Sequence, residues 1–131
     1  KRCAVLRVSG QAHRLCFLPR QEDFDAFADL SGDDNPIHVD PEFSARTRFG
    51  RTVSHGMLLY TRVFAHLKAL HPGRSHAVQT LMFPNPAYAD EELAFSFTPS
   101  EDDADLILIE VARAADGAVT LSGSCKLRVR T

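Results

Sequence analysis

The segment SHGMLLYTRVFAHLKAL, residues 54–70, restricts the fold more than any other stretch of the chain. Its apolar positions continue most of the way around a helical wheel, and its formal charges are confined to Arg62 and Lys68. A helix apolar on nearly every side is a buried helix, so the remaining chain has to be laid around it. Ser54 stands where an N-cap is expected, and His71-Pro72-Gly73 ends the helical pattern.

The sequence beyond the helix reads as strands. HAVQTLMF runs to Pro84, and ELAFSFTP alternates Leu93, Phe95 and Phe97 with smaller residues. ADLILIEVAR and AVTLSGSCKLRV flank Asp116-Gly117, a strong hairpin signal. Ahead of the helix, CAVLRV and HRLCFL flank Ser9-Gly10-Gln11, which predicts a first hairpin with Gly10 in its turn. QEDFDAFADLSG predicts a short helix, with Phe24, Phe27, Ala28 and Ser31 at helical spacing and Gly32 at its end. PEFSAR begins as a short helix does, with proline and then an acid. The order is two strands, a short helix, a loop, the long buried helix and four strands. It predicts one α+β domain over residues 1–131, an antiparallel sheet wrapped around a central helix in the hot-dog arrangement. The pattern leaves strand order open.

A chain of 131 residues suits one full core, and no repeat, low-complexity tract or linker divides it. A net charge of -2 gives no reason to expect nucleic acid or an anionic membrane as a partner. No apolar run approaches membrane-spanning length. The three cysteines, Cys3, Cys16 and Cys125, have neither CxxC nor metal-type spacing. An odd count of this kind reads as buried thiols in a reducing compartment, which makes the cytoplasm the expected location. His13, His66, His71 and His76 are scattered without ligand spacing, so no metal site is expected.

The chemistry is concentrated in SGDDNPIHVDP, residues 31–41. Asp, Asn and Pro after a helix are ordinary turn residues. Here, however, a carboxylate and an imidazole stand on either side of Asn35-Pro36. Extended, the chain would separate Asp33 from His38 by about 17 Å, whereas a bend at the proline lets them face one space. A carboxylate takes a proton and an imidazole gives or takes one near neutral pH, so the two can share a water. The start of the 54–70 helix supplies the complement. Its free amides, Gly56 among them, and the positive end of the helix dipole favour an oxyanion.

FADLSGDDNPIHVDPEFSARTRFGRTVSHGML resembles the hydratase motif of the MaoC-like family, which includes (R)-specific enoyl-CoA hydratases. The shared elements are S-G-D-x-N-P-I-H-x-D-P and, after a spacer, H-G-M, dense over residues 27–59. The resemblance implies that Asp33 and His38 are the catalytic pair and that Asn35 orients substrate or water. It implies that the Gly56 amide meets the thioester oxygen, with His55 and Met57 beside it in the substrate-binding set. His55 has a second expected role, packing or hydrogen bonding at the helix start. The implied reaction interconverts trans-2-enoyl and (R)-3-hydroxyacyl thioesters, carried on coenzyme A or acyl carrier protein, without cofactor or metal. A homodimer is the implied assembly.

Further expectations concern the surroundings. Asp34 is expected to face solvent and Asp40 to cap PEFSAR. Arg46, Arg48 and Arg51 could meet phosphates of the carrier, or simply form a solvated face. Tyr88, beyond Phe83-Pro84-Asn85-Pro86, could reach into an acyl tunnel and select chain length. Two other readings use the same fold. A thioesterase of this kind places an acid on the long helix, and residues 54–70 contain none. A non-catalytic acyl-thioester binding module would have no need of the Asp33, Asn35, His38 and Gly56 set.

Overall fold

Alternation builds the sheet. The computed structural model describes the backbone of residues 6–8 and all of residues 12–128. Its strands are β1 (Leu6–Val8), β2 (Ala12–Phe17), β3 (His76–Met82), β4 (Leu93–Pro99), β5 (Leu106–Arg113) and β6 (Val119–Leu127). They form a six-stranded antiparallel sheet in the order β1-β2-β4-β5-β6-β3. Every second residue of the three middle strands points inward: Leu93, Phe95 and Phe97, then Ile107, Ile109 and Val111, then Leu121, Cys125 and Leu127. The hairpin at Asp116-Gly117 forms as expected, with Gly117 at φ 75° and both Asp116 carboxylate oxygens clamped by Arg113. The expected turn at Gly10 lies outside the described residues.

The helices are α1 (Gln21–Ser31), α2 (Pro36–Val39), α3 (Pro41–Ala45) and α4 (Gly56–Leu70). α4 presses Leu59, Val63 and Leu67 into the concave face of the sheet. Each such side chain contributes roughly 1.5–3 kcal/mol by leaving water. The expectation that α4 is buried nearly all round is corrected here, because within the chain only one face of it is covered. Met57 and Phe64, 51% and 44% exposed, stand on the open side. A second correction concerns the cysteines. Cys125 is a free, buried thiol, but Cys16 is disulfide-bonded. Spacing along a chain does not show which cysteines pairing strands bring within bonding distance. None of the described helices is long and apolar enough to cross a membrane.

Gly123 is where the sheet's edge closes on its centre. It pairs with Leu81 on β3 and Ile109 on β5. A Cβ at this position would stand 2.0 Å from the carbonyl oxygen of Thr80, a backbone atom that cannot swing aside. Gly123→Ala is therefore expected to destabilise the protein by about 3 kcal/mol. Thermal unfolding should show this as a fall in Tm of about 10 °C. An unchanged Tm would mean that β3 relaxes freely and that the close approach contributes nothing.

Candidate active site

The loop of residues 32–35 is shaped by backbone hydrogen bonding before the side chains of the pair enter. α1 stops at Gly32, whose φ of 82° lets its amide donate to the Ala28 carbonyl. The Ser31 hydroxyl accepts from the Asp33 amide and donates to the Phe27 carbonyl, which fixes the first residue of the loop. Asn35 caps α2, its Oδ1 accepting from the Ile37 amide, and Pro36 occupies the first helical position without loss of a bond. The sequence reading takes residues 36–39 for loop, and this single helical turn is what folds the segment. It brings His38 Nε2 to 3.8 Å from Asp33 Oδ2. The Asn35 carbonyl oxygen is thus committed to the backbone. Asp34 is exposed, and Asp40 caps α3 through the Phe43 amide, both as expected.

His38 is held from two sides by residues that the sequence did not single out. Its Nδ1 lies 2.6 Å from the Val53 carbonyl oxygen, which can only accept, so Nδ1 carries a proton. Nε2 is then the nitrogen that exchanges its proton, and it faces Asp33. The His38 carbonyl accepts from Gln21 Nε2 at 2.8 Å, and Gln21 Oε1 accepts from the Thr52 hydroxyl at 2.7 Å. The Val53 amide in turn donates to the Ile37 carbonyl at 2.9 Å. α1, α2 and the strand-like segment before α4 are thereby tied around one imidazole. A backbone carbonyl leaves no mark in a sequence, and Gln21 reads there only as a polar helix start.

The H-G-M segment divides between three positions. His55 is the N-cap residue of α4 and is 2% exposed. Its ring stacks on that of His38 at 3.9 Å between centroids, and Nε2 donates to the Asp33 carbonyl at 2.9 Å. It therefore sits beneath the pair, not against open space where a substrate would lie. The capping expectation for Ser54 is corrected as well. Ser54 precedes the cap, is buried, and gives its hydroxyl hydrogen to the His55 carbonyl. Gly56 is the first residue of α4, so its amide has no partner within the helix. Met57 follows on the exposed side. Asp33, His38 and His55 each place one polar atom within 4.8 Å of the others. With Nδ1 of His38 and Nε2 of His55 both donating to carbonyls, the cluster presents one carboxylate and one imidazole nitrogen to each other.

A cavity of about 280 Å³ opens beside Gly56, walled by Val53, Leu59, Phe83, Ala87 and Thr120, with Arg48 at its rim. Phe83 packs closely against Gly56, since a Cβ there would be 3.0–3.1 Å from three of its ring carbons. Tyr88 does not reach inward, contrary to expectation. The guanidinium groups of Arg51 and Arg113 stand over its ring, 4.8 and 5.4 Å from the centre, and the attraction of cation for ring face holds it there. Arg51 also bonds Glu91 and the Ala89 carbonyl, so of the expected basic run it is Arg48 that stays beside the cavity.

Residues 7–117 match the model of the MaoC like domain. The chain belongs to this family. Among MaoC-like relatives, the (R)-specific enoyl-CoA hydratase of Aeromonas caviae is 38% identical over 86 residues, 64% of each chain. The mitochondrial 3-hydroxyacyl-[acyl-carrier-protein] dehydratase of Arabidopsis thaliana is 36% identical over 72 residues, 55% of this chain and 43% of that one. The matched stretch thus spans less than two thirds of the length of these relatives. In three dimensions the likeness is wider. The solved (R)-hydratase of A. caviae superposes with a TM-score of 0.80 at 30% identity, over 95% of this chain and 98% of that one. An R-hydratase from Pseudomonas aeruginosa gives 0.82 at 28%, over 93% and 81%. The hot-dog architecture expected for a MaoC-like chain is the one observed.

Proposed function

We propose that this chain is an (R)-specific hydratase and dehydratase interconverting trans-2-enoyl and (R)-3-hydroxyacyl thioesters. The observation that carries the proposal is the Asp33–His38 pair, 3.8 Å apart with the His38 tautomer fixed, on a loop held by the Nε2 hydrogen and the ring of His55, the residue before Gly56. At that separation the two groups are too far apart to satisfy each other and well placed to accept the two hydrogens of one water. One of them takes a proton as the water oxygen bonds to C3 of the enoyl group. The electrons of the C2–C3 double bond move onto the thioester oxygen, where the Gly56 amide and the α4 dipole stabilise the enolate. The same proton then passes to C2, so that one water is added and nothing else is consumed. The names of the relatives support this reading, and the absence of an acid from α4 weighs against thioester hydrolysis.

Crotonyl-CoA is the first substrate to try. Loss of the conjugated-thioester absorbance without release of free thiol, giving the (R)-3-hydroxy product on chiral analysis, is the expected result. Free thiol released with the double bond intact would replace this proposal by the thioesterase reading. Binding of crotonyl-CoA and of longer enoyl-CoAs without turnover would replace it by the binding module.

The active assembly in this proposal is a homodimer. Edge strand β3 leaves Val78 and Met82 exposed, Phe83 follows it exposed as well, and Met57 and Phe64 stand open on α4. Large apolar side chains left open on an edge strand and on the main helix favour burial against a second copy. Sedimentation should give twice the chain mass, and a monomer at assay concentration would remove this part of the reading.

A further inference from the structure

We infer that His55 is a positioning residue that stays neutral, holds the Asp33 backbone through its Nε2 hydrogen and supports the His38 ring by stacking, without touching substrate. Three observations independent of one another meet at this side chain. It is almost wholly buried, with Phe27 edge-on at 4.8 Å and Phe24 at 6.4 Å, so no substrate group reaches it. Its Nε2 donates at 2.9 Å to the carbonyl of the very residue whose carboxylate is proposed to act. Its ring lies 3.9 Å from that of His38 at an angle of 23°, so neither imidazole can tilt without the other. Asp33 and His38 therefore share one support, and their separation depends on it.

The remaining nitrogen explains why the ring is neutral. Nδ1 is buried with no hydrogen-bond partner. Unprotonated, it is an acceptor left without a donor. Protonated, it would be an unsatisfied donor on a buried cation, a far more costly state. The N-cap position places the ring at the positive end of α4, which disfavours the cation further. The titratable groups facing it are His38 and Asp33, while α1 offers only the aromatic rings of Phe24 and Phe27. Burial is the main reason its proton affinity lies below that of an ordinary histidine, with the Asp33 carbonyl opposing it, His38 adding to it and the Asp33 carboxylate also opposing it. A neutral His55 keeps a second positive charge away from His38 when His38 takes its proton.

The kinetic part of this inference rests on the hydratase reading, and its test is arranged to separate the two. His55→Phe keeps the stacked, buried ring but removes the donor. His55→Gln restores a donor at the distance of Nε2. With crotonyl-CoA, His55→Phe is expected to lower kcat about 10²-fold, the scale of a misplaced catalytic group. KM should be unchanged, and the acid limb of the pH profile should move. His55→Gln, which returns the donor without the stacked ring, should recover part of kcat. Ring nitrogen–proton NMR of the substrate-free protein provides the arm that needs no turnover. His55 should remain the neutral Nε2–H form across the neutral pH range, and the His38 ring and Asp33 backbone resonances should move in His55→Phe. A His55 that becomes doubly protonated in this range overturns the inference whatever the enzyme does. So does a His55→Phe variant with unmoved His38 and Asp33 resonances, or one that raises KM alone. If the wild type turns over no enoyl thioester while the NMR results hold, the hydratase reading fails and the positioning role stands.

Discussion

His38→Ala and Asp33→Asn are each expected to lower kcat for enoyl-thioester hydration by about 10²–10⁴-fold, the range for loss of a positioned acid–base group. The two should not multiply. If the groups hold one water between them, removing either already leaves the other without a reacting partner, and the double variant should be nearly as active as the worse single one. The structure makes Asp33→Asn the cleaner substitution. The Asp33 backbone is held by Ser31 and His55, and its side chain is 55% exposed with no bond that the loop requires. Its stability should therefore remain within about 0.5 kcal/mol of wild type. His38→Ala also loses the Val53 bond and the stack on His55, so thermal unfolding has to be measured alongside kinetics. A variant of either kind that retains more than about a tenth of wild-type turnover would take that residue out of the chemistry as described.

The second large effect should come from an atom that ordinary side-chain mutagenesis leaves in place. Gly56→Pro deletes the proposed oxyanion donor, and the fold is unusually ready to accept it. Proline is tolerated at the first helical position, where no intrahelical bond is lost. His55, the residue before it, already has φ -58° and ψ 138°, the extended conformation that a following proline requires. The obstacle is the new Cβ, which would press on the Phe83 ring. Both Gly56→Pro and its control Gly56→Ala are therefore best made together with Phe83→Ala. The two carry the same Cβ and differ in the amide hydrogen. Proline is expected to lower kcat about 10²–10³-fold relative to alanine, a difference of about 3–4 kcal/mol in the barrier. Equal rates would show that the thioester oxygen is stabilised elsewhere.

Several features of the site were readable because they depend on short-range rules. Gly32 at a helix end and Asp40 ahead of Pro41 each act on backbone a few residues away, and each does so in the structure, whereas the helical turn that begins at Asn35-Pro36 was read as loop. Ser54 shows how far such rules reach. It is a good capping residue in sequence, yet the helix starts one residue later and leaves that place to His55, since the neighbouring segment is pinned by bonds from Val53 and Ser54 to Ile37 and Ala87. Tyr88 was misplaced for a similar reason, because the two arginines that hold it come from positions 37 residues before and 25 after it.

The sequence by itself determined which residues are candidates for the chemistry and most of the elements around them. Alternation and helical periodicity set the strands and the helices around a sheet, and D-x-N-P-x-H set an acid, a bend and a base in order. Those are properties of neighbours along the chain, where geometry is fixed by a few dihedral angles. Tertiary structure alone decided how the groups are held. Val53 selects the His38 tautomer, Gln21 and Thr52 anchor its backbone, His55 lies beneath the pair, and Phe83 walls the Gly56 amide. Each of those contacts joins segments whose distance in space is set by packing α4 into the sheet, and no local pattern of residues encodes that distance.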